Sequence, residues 1–489
     1  MSQQPPILLS AKARRTHESP ISTLIATVIA NPNLISFAAG LVDPVTLPVD
    51  ECLAITRKIF SDPKRAQATL QYDTTIGLTA LRQEVLAHIC RLEGKTPEQL
   101  GLNPDDLLIT TGSQQMLYLV ADALVDPGDI VICGNPTYFV FAGALETLGA
   151  SVMTVPMDQD GMDVEALDRL LGRIEAAGQL RRVKLVYCTS FFDNPTGLTL
   201  SLPRRRRMLD IVRGHSRSHR ILILEDAAYR ELNYDGASPP SIKSFDPDNQ
   251  FVVLTHTFSK PFAPGIKLGY TVLPREVHEA VLHQKGSHDF GSANISQQIA
   301  LEALRDGSYA RHVQRLHREY RKKRDAMLAA LEKHMPRVPG LSWTRPGGGL
   351  YVWVTLPQGI RTSREGRLFE DCLERGVIYV PGEYCMQKGC SADSVPTDNC
   401  HPERTREGSG LEVQSRILRE HALNAGRGGS TELQPLQALS HVPTNHLRLS
   451  FGQVDIAQID DGIARLAAAV ADQLAANSSP SADAVGATS

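Results

Sequence analysis

The sequence predicts an α/β fold in which a large, mostly parallel seven-stranded sheet is flanked by helices and joined to a smaller α+β domain. Three observations lead there. Between about residues 80 and 290, short runs rich in Val, Ile and Leu recur without strict alternation, as strands buried on both faces require. Helical segments separate those runs, giving the βαβ rhythm of an open sheet covered on two sides. After Asn294 the rhythm breaks into a long charged helix, a strand entered through glycines and a further amphipathic helix.

The strand candidates, in order, are "DLLITT", "DIVIC", "SVMTV", "VKLVYCT", "RILILED", "FVVLTHT" and "LGYTVL", with helices such as Gln114 to Val125 and Arg204 to Arg213 between them. Residues 49–294 are expected to form the large domain and 295–475 the small C-terminal one. Residues 1–48 are expected to join the small domain and the ligand site. In the small domain, "SYARHVQRLHREYRKKRDAMLAALEKH" reads as a helix whose charges from Arg318 to Arg324 are its wet face. "GVIYVPG" and "NHLRLSFG" are strand-like pieces. Between them, from about 387 to 440, the chain is rich in Gly, Ser, Pro and charge, and reads as an insertion or mobile lid. Residues 476–489 are expected to be a disordered tail.

The 489-residue chain can bury a large core, and its 42% hydrophobic and 21% charged content is that of a globular protein. A net charge of −3 and a pI near 6.6 give no global basic field for nucleic acid or an anionic membrane. No apolar run approaches the roughly 20 residues of a membrane span, and the first residues lack the apolar stretch of a secretory signal. Eight cysteines in so long a chain form no disulfide scaffold. Four of them, Cys52, Cys90, Cys133 and Cys188, sit in patterns that suit buried thiols. A cytoplasmic protein without nucleic-acid or membrane partners is expected.

In open α/β sheets, ligands collect at the carboxyl ends of the strands. "LLITTGSQQ" ends in Gly112, Ser113 and Gln114 where a helix begins. That point can cradle a phosphate, although an ordinary serine N-cap reads the same. "VKLVYCTSFFDNPTG" fixes the carboxamide of Asn194 at a strand mouth. "RILILEDAAYREL" ends an apolar strand with Glu225 and Asp226, then Tyr229. A carboxylate there is desolvated and needs a cation or N–H partner, unless it serves as a helix N-cap. "FVVLTHTFSK" delivers Thr257, Ser259 and Lys260. Pyridoxal phosphate would use all four endings: a phosphate, a ring nitrogen, a phenolate and an aldehyde. Each motif is weak alone; in this order, 32 residues from Asn194 to Asp226 and 34 more to Lys260, they are strong.

With these residues the chain resembles the class I/II aminotransferases of fold type I, which use pyridoxal 5′-phosphate. The resemblance covers roughly Ile35 to Gln473 apart from the insertion. It rests on "TTGSQQ", "NPTYF", "NPTG", "EDAAY", "TFSKPFAPGIKLGY" and "NHLRLSF". "ISFAAGLVDPVTLP" and "LQYDTTIGLTALRQEV" look most like the branch with 2-aminoadipate and kynurenine aminotransferases. The resemblance implies transfer of an amino group between an L-amino acid and a 2-oxo acid, 2-oxoglutarate foremost.

It also implies residue roles. Lys260 would carry the cofactor's aldehyde and act as the base at Cα, Asp226 would pair with the ring nitrogen, and Tyr138 would stack on the ring. Asn194 and Tyr229 would meet the phenolic oxygen. Ser113, Gln114, Thr257 and Ser259 would hold the phosphate. Arg448 would take the substrate carboxylate as a fork, and Gly40 would lie over the substrate. Tyr72 would reach the phosphate of a neighbouring subunit, implying a homodimer with shared sites.

Three positions depart from the family pattern. Lys267 replaces the usual arginine near the phosphate, which keeps the charge and loses the fork. Ala39 stands where a second glycine is common, and the insertion has no counterpart. Cys385, Cys390, Cys400 and His401 in and beside the insertion lack paired metal-ligand spacing, so no metal is expected. A lyase or oxidase-like enzyme of the same fold would use Lys260 and Asp226 equally well. An aminotransferase-like sensor would carry a winged helix before this domain, where only about 34 residues precede "ISFAAGL". A dinucleotide-dependent dehydrogenase would need a G-x-G-x-x-G after its first strand.

Overall fold

The computed structural model of the chain describes residues 7–387 and 442–478. A helix at Pro20–Ala30, opened by its proline, precedes β1 (Ile35–Ser36). All seven strands read from the large sheet are present: β2 (Leu107–Thr110), β3 (Ile130–Asn135), β4 (Ser151–Asp158), β6 (Val183–Thr189), β7 (Leu222–Asp226), β8 (Val252–Thr257) and β9 (Gly269–Val272). An eighth, β5 (Gly161–Met162), corrects the expected count of seven. It is a two-residue edge hairpin on β4, too short to leave a period in the sequence.

The sheet order is β2-β9-β8-β7-β6-β3-β4-β5, and the five strands from β8 to β4 run parallel. Strand β9 is antiparallel to both its neighbours. Neighbouring residues of β3 enter different cores: Ile130 and Ile132 pack under the helices Val164–Ala176 and Leu202–His215, Val131 and Cys133 under Gly112–Leu124. Burial of successive side chains on opposite faces explains the unbroken apolar runs. The chain leaves β3 toward β4 on one side and returns to β6 on the other. That reversal opens a crevice at the carboxyl ends of the strands.

The later part of the chain forms a second, antiparallel sheet of β10 (Ser342–Trp343), β11 (Tyr351–Thr355), β13 (Val380–Pro381) and β14 (His446–Ser450), ordered β10-β11-β14-β13. The N-terminal segment is stitched to this region: β1 pairs in parallel with β12 (Val377–Ile378), and the Ser450 N–H donates to the Phe37 carbonyl at 2.8 Å. The long helices Ser308–His334 and Ile456–Ser478 pack on each other. The second reaches Ser478, so 476–478, assigned above to a disordered tail, continue the helix. Apart from Gln387, the expected insertion lies outside the described residues, as does the rest of the tail.

Candidate active site

At the carboxyl ends of β2, β3, β6, β7 and β8 lies a cavity of about 330 Å³. Gly40, Ser113, Gln114, Tyr138, Asn194, Asp226, Tyr229, Thr257, Ser259, Lys260, Lys267 and Arg448 all line it. Of the candidate residues only Tyr72 stands apart. It is 88% exposed, beside Phe290 with ring centroids 6.5 Å apart.

Lys260 follows the end of β8, and its Nζ donates to the Gly40 carbonyl at 2.8 Å. A Cβ on Gly40 would fall 2.4 Å from the Tyr351 hydroxyl, so the glycine leaves room for that tyrosine. Tyr351 in turn holds Tyr229, hydroxyl to hydroxyl, at 2.9 Å.

Asp226 ends β7 and is 5% exposed. Its Oδ1 accepts from the Ala228 N–H at 3.0 Å and its Oδ2 from the Tyr187 hydroxyl at 3.2 Å, yet it forms no ion pair among the described residues. Burial pushes its carboxyl up to about 6, against those two donors. Arg448, on β14, is the opposite charge in the same condition. At 2% exposure it donates to Asn194 Oδ1 (2.9 Å) and the Ala38 carbonyl (2.7 Å) and lies 4.4 Å from the Tyr351 ring centroid. Its Nε is buried with no acceptor, and no described carboxylate pairs with it. A buried cation without an anion is costly unless a ligand supplies one.

The third feature is the start of the helix Gly112–Leu124. Ser113 is inside the helix, so it is not the N-cap; the cap is Thr111, whose side chain makes no capping bond. The first N–H groups therefore face the cavity uncapped, a favourable seat for an anion. Thr257 donates to Ser259 Oγ at 2.9 Å beside it, and Lys267 enters from a left-handed residue (φ +49°) after the turn Pro264–Ile266. Strand β9 comes close here: a Cβ on Gly269 would lie 2.7 Å from the His256 carbonyl oxygen and 2.9 Å from the Ser113 nitrogen.

Sequence reasoning missed Tyr351, Tyr187, Thr111 and Thr189. Tyr351 and Tyr187 sit in strands that read as core, and their hydroxyls reveal a role only once β7, β11 and the N-terminal segment meet. It also missed the wall of Ile21, Ile25, Leu41, Phe139 and Val140, much of it carried by the N-terminal helix. Cys385 is buried and free; Cys390, Cys400 and His401 lie outside the described residues. No helix among the described residues is long and apolar enough to cross a membrane.

These features fit pyridoxal phosphate: an uncapped helix start for a phosphate, a buried carboxylate lacking a cation, and a lysine between them. The arginine that lacks an anion fits a substrate carboxylate. The family of aminotransferases of class I and II matches residues 47–392. The chain is 35% identical over 374 residues to aromatic-amino-acid aminotransferase 1 of Thermococcus litoralis, covering 76% of this chain and 85% of that one. It is 33% identical over 409 residues to the 2-aminoadipate transaminase of Thermus thermophilus, covering 83% and 95%. The solved Pyrococcus horikoshii kynurenine aminotransferase, in complex with PMP, superposes with a TM-score of 0.77 at 30% identity, over 95% of this chain and 97% of that one. The chain belongs to the class I and II aminotransferases, and its cofactor is pyridoxal phosphate.

Proposed function

We propose that this aminotransferase takes its amino group from an L-amino acid with an apolar or aromatic side chain and gives it to a 2-oxo acid, 2-oxoglutarate first among them. The observation that carries the chemistry is the pair of uncompensated buried charges, Asp226 and Arg448, in one cavity with Lys260. The side-chain preference rests on the wall of Ile21, Ile25, Leu41, Phe139 and Val140. Among the described residues the cavity's cations are Lys260, Lys267 and Arg448, all with other work.

Bound pyridoxal phosphate supplies an electron-withdrawing ring that stabilises charge left on the substrate Cα. Asp226 holds the proton on the ring nitrogen. The Gly112 helix start, Ser113, Gln114, Thr257, Ser259 and Lys267 hold the phosphate. Arg448 already engages Asn194 Oδ1, which leaves that residue's amide N–H₂ to face the phenolic oxygen. Either hydroxyl of the Tyr229–Tyr351 pair can donate, and when Tyr351 does, the Tyr229 proton is free for the same oxygen. Tyr138 stacks on the ring. Arg448 orients the amino acid by its carboxylate, and Lys260 Nζ takes the proton from Cα. The apolar wall excludes water from that transfer.

Tyr72 and Phe290, exposed aromatics packed on each other, support a homodimer in which Tyr72 serves the partner's site. The free cysteines of the described residues support a reducing, cytoplasmic compartment. A panel of amino donors with 2-oxoglutarate, followed by keto-acid and glutamate formation, tests the function. Aromatic and large aliphatic donors should lead. Lys260→Ala should lose the visible absorbance of the lysine-bound cofactor and all turnover. Ammonia release with no need of an acceptor would overturn the transferase reading.

A further inference from the structure

The motif "TTGSQQ" holds two glutamines, and the transfer reaction described above uses only the first, Gln114. Gln115 does not line the cavity. Thr111, Gly112, Ser113 and Gln114 spell a capping box. In such a box the threonine hydroxyl accepts from the N–H three residues on, and the glutamine side chain accepts from the threonine N–H. The same pattern from Thr96 to Gln99 forms the box in this chain. Thr96, at ψ 164°, accepts from the Gln99 N–H at 3.3 Å, and Gln99 Oε1 takes the Thr96 N–H at 2.9 Å. At Thr111 the threonine makes no capping bond. A closed box there would occupy an N–H that the proposed phosphate seat needs.

Gln115 takes the part that Gln114 would play. Its Oε1 accepts from the Thr111 N–H at 2.9 Å, which leaves Gln114 no donor to close on. Thr111 stands at ψ 66°, far from the extended backbone of Thr96. Its hydroxyl lies 3.4 Å from both Asp289 Oδ2 and Ser292 Oγ instead of on the helix start. Gly112 follows at φ +76° with nothing within 4 Å of a would-be Cβ, so the glycine serves this backbone turn and not a tight space. The Gln115 amide has one orientation open to it. Its oxygen faces two donors, the Thr111 N–H and Lys285 Nζ (3.3 Å), and its nitrogen faces Asp289 Oδ2 (2.6 Å) with His288 Nδ1 at 3.4 Å. Turned over, it would set an N–H₂ against an ammonium and an oxygen against a carboxylate.

The anchor behind Gln115 is firm. Lys285 Nζ meets the two Asp289 oxygens at 2.7 and 2.8 Å, and the lysine side chain is fully buried. Both belong to the helix Arg275–Asp289, which packs on Gly112–Leu124. We infer that Gln115, anchored by Asp289 and Lys285, is a positioning residue that keeps the helix Gly112–Leu124 from capping itself, so that its first N–H groups stay open for the cofactor's phosphate. This rests on reading that helix start as the phosphate seat. The empty protein forgoes a cap, and the bound phosphate supplies it.

The test compares pyridoxal phosphate with pyridoxal, which lacks the phosphate, by the visible absorbance each gains on joining Lys260 of the full chain. Gln115→Met keeps the length of the side chain and loses the acceptor. The Thr111 N–H then falls to Gln114 and the box closes. Affinity for pyridoxal phosphate should drop about tenfold, while pyridoxal binds as in wild type. In the cofactor-free variant, hydrogen exchange at the Gln114 N–H should slow, because it gains the Thr111 hydroxyl. Thr111→Ala has no hydroxyl to cap with, so in that background Gln115→Met should cost nothing. Unchanged affinity, equal losses for both ligands, or the same loss with and without the Thr111 hydroxyl overturns the inference. Should Gln115→Met fail to fold, Gln115→Ala makes the same comparison. Ser113→Ala separates the two readings. If it weakens pyridoxal phosphate alone while Gln115→Met does not, only the role of Gln115 fails; if neither variant separates the two ligands, the phosphate seat itself is wrong.

Discussion

Asp226 is buried and has no cation among the described residues, and this has a consequence for the cofactor-free protein. Its ordinary carboxyl value of 3.8 is raised to about 6 by burial, so between those values the folded chain holds a proton that the unfolded chain releases. Stability from this group is therefore lost as pH rises through that window, at about 1.4 kcal/mol per pH unit. Asp226→Asn cannot titrate. The cofactor-free variant should gain on wild type by on the order of 3 kcal/mol between about pH 4 and 6, and hold that gain above it. Denaturant melts at stepped pH read it directly, and a constant difference between the two proteins would refute it. Lys267 makes a second case at this scale. Lys267→Ala should weaken cofactor binding by about tenfold or more, the worth of a hydrogen bond to a charged group, while Lys267→Arg retains it. Equilibrium release of pyridoxal phosphate measures both, and equal affinity in the alanine variant would remove Lys267 from the phosphate site. The residues that sequence reasoning found, such as Lys260 and Asp226, follow strand ends, where position alone predicts a ligand. Tyr351 and Tyr187 lie inside strands, and a buried tyrosine in a strand reads as core until its hydroxyl partner is known.

At the scale of elements, the large sheet was legible because its strands are buried on both faces and must be apolar throughout. The short pieces β1, β5 and β10 were not: they are two residues each and pairing defines them, whereas β12 and β13, as short, fall within the strand-like "GVIYVPG". The proposed phosphate end of the site depends on such a pairing. Strand β9 begins with Gly269, wedged between the carbonyl end of β8 and the start of the helix Gly112–Leu124. The atoms nearest a new methyl there are all backbone: the His256 oxygen at 2.7 Å, then the Gly112 carbon and Ser113 nitrogen, both at 2.9 Å. A backbone neighbour cannot rotate away, so Gly269→Ala must push the helix start off β9. We expect a loss of about 1–3 kcal/mol in stability, as for overpacking elsewhere, together with weaker cofactor binding. Loss of stability with cofactor affinity intact would show that the helix start is not the phosphate seat.

At the scale of the whole molecule, one residue remains without work inside its own chain. Tyr72 is 88% exposed and neighbours Phe290, itself 74% exposed, beside a chamber lined by residues 69–73 and 290–295. Two large aromatic rings in water are explained if a second copy covers them, and a two-fold dimer places each copy's patch on the other. If Tyr72 completes the partner's site, Tyr72→Ala and Lys260→Ala damage different halves of the same dimer. Each variant alone should be nearly inactive. Mixed and allowed to exchange subunits, about half the dimers become hybrids, and each hybrid holds one site with both Lys260 and a partner Tyr72. Activity should then recover to about a quarter of wild type, by the same subunit statistics. Recovery depends on exchange, so mass spectrometry of the mixture should show the hybrid appearing at the rate at which activity returns. Hybrids that form without regaining activity would place Tyr72 outside the shared site, and a chain that stays monomeric while active would remove the dimer itself.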